Sequence, residues 1–114
     1  MTLQEFYIVV GGDYQEAVSR MMGEAMLRRF LAKFATDPSY ATLEVAIAEG
    51  MQEEAFRAAH TIKGLCLNLG FGKLQRSSET LTEALRNEMP ANVAELFEAV
   101  KADYELTLDA VLQL

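Results

Sequence analysis

The sequence predicts an all-helical fold, and three observations support this prediction. The period-two alternation typical of strands is absent, while apolar residues recur at three- and four-residue steps. Leu, Met, Ala, Glu and Arg, which are good helix formers, dominate the 114 residues. The breaks between periodic stretches are short, which favours antiparallel neighbours. We therefore predict an up-and-down antiparallel four-helix bundle with additional short N-terminal helices.

The first periodic stretch is predicted to begin at Asp13, with Glu16 at the spacing of a capping box. It continues to about residue 35, and Gly23 is a candidate interruption. Its apolar stripe is formed by Met22, Met26, Leu27, Phe30 and Phe34. A shorter helix is expected after Asp37-Pro38, with the aspartate as N-cap and the proline at the first helical position, and it ends at Gly50.

Three longer helices are predicted to follow. The first runs from about residue 52 to 69 and ends at Gly70, a residue type suited to a left-handed C-cap. The second begins near Gly72 and continues through Asn87, and the third begins at Pro90. The last helix has a long apolar stripe, which indicates a core-facing side rather than a cofactor site: Val93, Leu96, Phe97, Val100, Tyr104, Leu108, Val111 and Leu112.

Length and charge limit the possible functions. The chain is long enough for one domain, which we expect to span residues 1–114. Seventeen acidic and ten basic residues give a net charge of −7, which disfavours binding to nucleic acids or anionic membranes.

No apolar run could span a bilayer and no signal peptide is recognisable, so we expect a cytoplasmic protein. One cysteine, Cys66, and one histidine cannot form a disulfide or a structural metal site, and Cys66 is expected to be buried.

The single histidine, His60, is the main candidate functional residue. At about 100° per residue, the predicted inner face of its helix consists of Ala55, Ala58, Ala59, Ile62, Leu65, Cys66 and Leu69. His60 falls on the opposite side, close to Phe56, Gly64 and Leu67. A neutral imidazole is nucleophilic near neutral pH, and an apolar rim around it suggests a docking surface. The alternative is a histidine in the core or without a function on the surface.

The neighbours of His60 each have two interpretations. Gly64 costs about 1 kcal/mol relative to alanine within a helix, so it either gives access to the imidazole or allows close helix packing. Lys63 either neutralises phosphoryl oxygens or simply solvates the helix. Arg57 either assists a partner or pairs with Glu53 or Glu54, and the pairing is the stronger expectation.

These residues resemble the histidine-containing phosphotransfer (HPt) domains. The resemblance rests on Ala59-His60-Thr61-Ile62-Lys63-Gly64, followed by Leu69-Gly70 and Leu74. Leu81 and Glu83 also fall where that family commonly has a Leu-Glu pair, and the helix order is similar from about Asp13 to Asn87. The sequence departs from the family at Leu65-Cys66, where small residues are common.

The resemblance implies a role for each matching residue. His60 accepts a phosphoryl group, Lys63 stabilises its charge and Gly64 leaves access to the imidazole. Phe56, Arg57 and Leu67 are expected to contact the partner. Some members use a glutamine to orient the histidine ring, and the matching position here is Thr82.

The function predicted from this resemblance is a phosphocarrier without catalytic activity of its own. It would receive the phosphoryl group from an aspartate of a response-regulator receiver domain, and a hybrid histidine kinase is a further candidate partner. The chain lacks clustered carboxylates, so no cofactor is expected, and Mg²⁺ would arrive with the receiver. We expect a monomer.

Two other functions stay open. A helical docking module for receiver or kinase domains would use the same apolar rim without accepting phosphate. An enzyme with His60 as general base is the weaker alternative, since no Ser, Cys or acidic partner is recognisably placed.

Overall fold

Seven helices and no strand make up the protein, whose residues 1–114 are all described by a computed structural model. This confirms the predicted fold class. The helices are α1 (Leu3–Val10), α2 (Tyr14–Arg20), α3 (Glu24–Phe34), α4 (Ser39–Ala48), α5 (Gln52–Leu69), α6 (Gly72–Ala84) and α7 (Val93–Leu112). None of them is both long enough and apolar enough to cross a membrane.

The bundle is formed by α4 to α7, which pack against one another in chain order, and α7 also contacts α4. Short connections join α4 to α5 and α5 to α6, so these neighbours run antiparallel. Helix α1 packs mainly against α7, while α2 and α3 contact α5. One continuous apolar core lies between the helices, and α5 contributes six buried residues to it. The helix that carries His60 is therefore held from several sides.

The predicted bounds of α5 are confirmed. Gly70 follows its last residue in the left-handed conformation, with φ of 78°, and its N–H donates to the Cys66 carbonyl. Asp13 is the N-cap of α2, as expected, and accepts from the Glu16 N–H. Asp37 accepts from the Ser39 N–H but is not the N-cap of α4, because Pro38 occupies that position. Helix α4 therefore begins at Ser39 rather than at Pro38.

The stretch predicted for residues 13 to 35 is interrupted at the candidate break, Gly23, so that two helices, α2 and α3, replace one continuous helix. Met22 and Gly23 both have positive φ, 61° and 124°, which ends one helix and starts another. Met22 is consequently 92% exposed instead of lying on an apolar stripe, and Met26 and Phe30 are also exposed. Only Leu27 and Phe34 of the predicted stripe are buried.

Two other predicted ends are displaced. Helix α6 ends at Ala84, and Asn87 has φ of 71°, so the predicted continuation through Asn87 is wrong. Helix α7 begins at Val93 rather than at Pro90, whose carbonyl accepts from the Val93 N–H in a turn. Its predicted apolar stripe packs into or against the core except at two positions, half-buried Leu108 and Leu112, which is 69% exposed.

Helix α1 is one of the short N-terminal helices whose bounds were not predicted. Thr2 caps it, because the Thr2 hydroxyl accepts from the Glu5 N–H while the Glu5 carboxylate accepts from the Thr2 N–H. This is a complete capping box, and the Thr-x-x-Glu spacing in the sequence could have predicted it.

Candidate functional site

Helix α5 turns His60 towards solvent, as its periodicity predicted. The predicted inner face is buried except for Leu65, which is half-buried at the edge of the core. His60 is exposed on the opposite side. A nucleophile in this position can be reached by another macromolecule without unfolding any part of the bundle.

Three neighbours of His60 shape its surroundings. The Phe56 ring lies nearly parallel to the imidazole, at 13° and with ring centroids 6.1 Å apart. One turn after the histidine, a Cβ added to Gly64 would meet no atom within 4 Å. Gly64 therefore leaves open space rather than allowing close helix packing. Leu67, one further turn along, is 47% exposed and extends the apolar rim.

The end of α6 and the turn that follows it place an ion pair beside this face, with Glu83 in the helix and Arg86 in the turn. The Arg86 guanidinium donates through Nε and Nη2 to the two carboxylate oxygens of Glu83, at 3.2 and 2.9 Å. Its Cζ also lies 5.1 Å from the centroid of the Phe56 ring, in cation–π geometry. Glu83, Arg86, Phe56 and His60 thus form a continuous series of side chains from α6 to α5.

The electrostatics of Glu83 link it to the histidine. Hydrogen bonding to Arg86 and its positive charge lower the pKa of the Glu83 carboxyl, and the charges of Lys63 and His60 act in the same direction. Glu83 is therefore a carboxylate near neutral pH, close to a candidate phosphoryl-accepting residue. From the sequence, Glu83 was identified as part of a Leu-Glu pair. The opposite charges of Glu83 and Arg86 at i and i+3, at the end of the helix that pairs with α5, were the available evidence for this arrangement.

Arg57 and Lys63 occupy opposite edges of the face. Arg57 forms an ion pair with Glu53 one turn earlier, which supports the pairing considered from the sequence. Lys63 is half-buried, and its charge acts on Glu83. Arg57 therefore already has a partner on its own helix, whereas Lys63 forms no ion pair.

Thr82 is not positioned to orient the imidazole. Its side chain is completely buried, and its hydroxyl donates a 2.6 Å hydrogen bond to the Ser78 carbonyl within α6. It makes no hydrogen bond to His60, which lies at the surface. The expected role of Thr82 therefore has no support in the structure, because the position turns into the core.

Cys66 belongs to the core, as predicted. Burial raises the pKa of its thiol to about 12, although a hydrogen bond with Ser78 acts in the opposite direction. The thiol is therefore protonated at neutral pH and is not a nucleophile. No group of three or more His, Cys, Asp or Glu side chains is arranged to hold a metal ion.

The C-terminal end of α5 is fixed by residues from the first two helices. Arg20 donates to the carbonyls of Leu67 and Asn68, and the Tyr7 hydroxyl donates to the Leu69 carbonyl. These carbonyls have no partner within the helix, so the three bonds satisfy acceptors that α5 leaves free. No local pattern predicts these contacts, which join residues at least 47 positions apart.

An all-helical bundle that presents one histidine, with a lysine and an open glycine beside it, has the form of a carrier module. The family model described as Hpt domain matches residues 25–113. The chain therefore belongs to the histidine-containing phosphotransfer (Hpt) domain family, which has a phosphotransfer role in two-component signalling and interacts with response-regulator receiver domains. The curated proteins and the solved structures compared with the chain include no match.

Proposed function

We propose that this protein is a phosphocarrier that accepts a phosphoryl group on His60 from a receiver-domain aspartate and passes it on to another receiver. The observation that carries the proposal is the exposed imidazole of His60 beside the open space at Gly64, within a chain that matches the Hpt family. The protein acts as a monomer in the cytoplasm, and a hybrid histidine kinase supplies the phosphorylated receiver.

In the transfer step, the Nε2 lone pair of neutral His60 attacks the phosphorus of the phospho-aspartate. The new N–P bond forms as the bond to the aspartate oxygen breaks, and the carboxylate leaves with the electron pair. The proton on Nδ1 stays on the ring, which becomes a phosphorylated imidazolium. The reverse reaction returns the phosphoryl group to a receiver aspartate.

This step needs mainly positioning and charge neutralisation, because its transition state is loose. Lys63, one turn from His60, provides a positive charge for the phosphoryl oxygens. The receiver would bring Mg²⁺, held by its own carboxylates. The carrier contributes an accessible nucleophile and a docking surface rather than catalytic activity of its own, with Phe56 and Leu67 as the apolar contacts.

The direct test is incubation with a receiver domain that carries labelled phospho-aspartate. We expect an acid-labile label on the protein, and none on His60→Gln, with unchanged helicity by circular dichroism. Lys63→Ala should take the label more slowly while binding the receiver equally well. A label that persisted on His60→Gln would place the nucleophile elsewhere.

The same experiment distinguishes the carrier from a docking module. Exposed Leu67 favours docking in either case. A docking module would bind the phosphorylated receiver in a pull-down or by calorimetry and stay unlabelled. Binding without label on the unmodified protein would therefore replace the proposed function.

A further inference from the structure

The ion pair between Arg86 and Glu83 lies beside the face of α5 that carries His60. Phe56 contacts both groups, because the Arg86 Cζ lies 5.1 Å from the centroid of its ring and the ring lies nearly parallel to the imidazole of His60, with centroids 6.1 Å apart. Arg86, which follows the end of α6, is thus linked to the imidazole of His60 through the Phe56 ring. Glu83 occupies its hydrogen-bonding edge.

Phosphorylation would change the charges around this pair. A phosphoryl group brings roughly 1.5 to 2 negative charges near neutral pH and several strong acceptor oxygens. The carboxylate of Glu83 interacts electrostatically with His60, so it would repel those charges. The guanidinium of Arg86 fits two oxygens of a phosphoryl group as well as it fits a carboxylate.

Resting on the proposed function, we propose that Arg86 exchanges partners during the phosphorylation cycle. It holds Glu83 while His60 is unmodified, and it turns to the phosphoryl oxygens when His60 is phosphorylated. Arg86 then binds the phosphoryl group, and Glu83 is a positioning residue that returns the guanidinium to its resting place. Phe56 guides the movement by keeping the guanidinium on its ring face.

Exposure makes this exchange feasible. The side chains of Arg86 and Glu83 are 52% and 55% exposed, so solvent screens their attraction and the pair contributes little to stability. Apart from Glu83, the guanidinium contacts the Phe56 ring and forms no other hydrogen bond or ion pair. By contrast, Arg57 pairs with Glu53 and lies at the opposite edge of the face.

The exchange predicts opposite effects for the two partners. Arg86→Gln removes a cation that favours the phosphorylated state, whereas Glu83→Gln removes its competitor and a repulsive charge. Arg86→Gln should therefore shift the transfer equilibrium towards the phosphorylated receiver, and Glu83→Gln towards the phosphorylated carrier. We expect shifts of about threefold in each direction, typical of exposed charge-assisted contacts. A merely structural ion pair would give shifts in the same direction.

The experiment measures the transfer equilibrium with a receiver domain and the ³¹P NMR titration of the phosphorylated carrier. Loss of Arg86 should raise the pKa of the phosphoryl group, because a nearby cation favours its doubly ionised form. Arg86→Lys should restore part of the shift, and Arg28→Gln, an exposed change on α3, is the control for net charge.

Separate outcomes decide the two proposals. Normal labelling of His60 with an unchanged phosphoryl pKa and equilibrium in Arg86→Gln would overturn the exchange while leaving the carrier function intact. Equal shifts in Arg86→Gln and Arg28→Gln would also overturn it, since the effect would then be one of net charge. Absence of label on the unmodified protein would reject the proposed function and the exchange together.

Discussion

The Tyr7 hydroxyl donates a 2.6 Å hydrogen bond to the carbonyl of Leu69, the last residue of the helix that carries His60. Arg20 donates to the two preceding carbonyls, Leu67 and Asn68. Both donors precede residue 25, where the family match begins. Residues outside the matched region therefore fix the end of the helix on which the site depends.

Tyr7→Phe should destabilise the protein by about 2 kcal/mol, because it leaves the buried Leu69 carbonyl without its donor. Urea unfolding followed by circular dichroism measures the change. Tyr14→Phe is the matched control, since its hydroxyl bonds to Glu24 at the surface and its removal should cost much less. Equal losses for the two variants would contradict a structural role for the Tyr7 bond.

Gly64→Gln should have opposite effects on stability and transfer. Nothing lies within 4 Å of an added Cβ, and glutamine is the better helix former, so the free energy of unfolding should rise by about 0.5 kcal/mol. The longer side chain should nevertheless slow phosphotransfer by occupying the space beside His60. A thermal melt and a transfer time course test both effects, and a lower melting temperature would show that the position is packed.

Leu67→Glu should weaken binding to a receiver domain by about 2 kcal/mol, because it places a charge where apolar surface would be desolvated. Calorimetry with the receiver measures the loss. Stability should hardly change, since Leu67 is 47% exposed. Leu112→Glu is the control: this leucine is 69% exposed on α7, away from the proposed docking surface, and the change should leave affinity unaltered.

Cys66 should make stability fall at alkaline pH. Its pKa rises from 9.0 to about 12 on folding because the thiol is buried. Below pH 9 both states keep the proton, whereas between 9 and 12 only the unfolded state loses it, so stability decreases as pH rises. The contribution approaches about 1.4 kcal/mol per pH unit. Cys66→Ala should flatten this slope in urea unfolding experiments between pH 8 and 11, and an unchanged slope would exclude the thiol as its source.

The sequence by itself determined the helical class and the face of α5 that carries His60. Both follow from local periodicity, since Ala55, Ala59, Ile62 and Cys66 mark one side of the helix without reference to its neighbours. The end of α5 at Gly70 was predictable for the same reason, because a left-handed cap favours glycine. Gly23 marked the break between α2 and α3 as a candidate, but the positive φ of Met22 was not predictable, since a non-glycine residue in this conformation has no strong local pattern.

Only the tertiary structure decided which side chains meet across helices. Thr82 and Glu83 are adjacent in sequence, yet a rotation of about 100° sends one into the core and the other towards His60 and Lys63. The contact of Arg86 with Phe56 depends on the register between α5 and α6, which the packing of both helices fixes. Periodicity defines a face within one helix, but the relative position of two faces follows from burial of the common core.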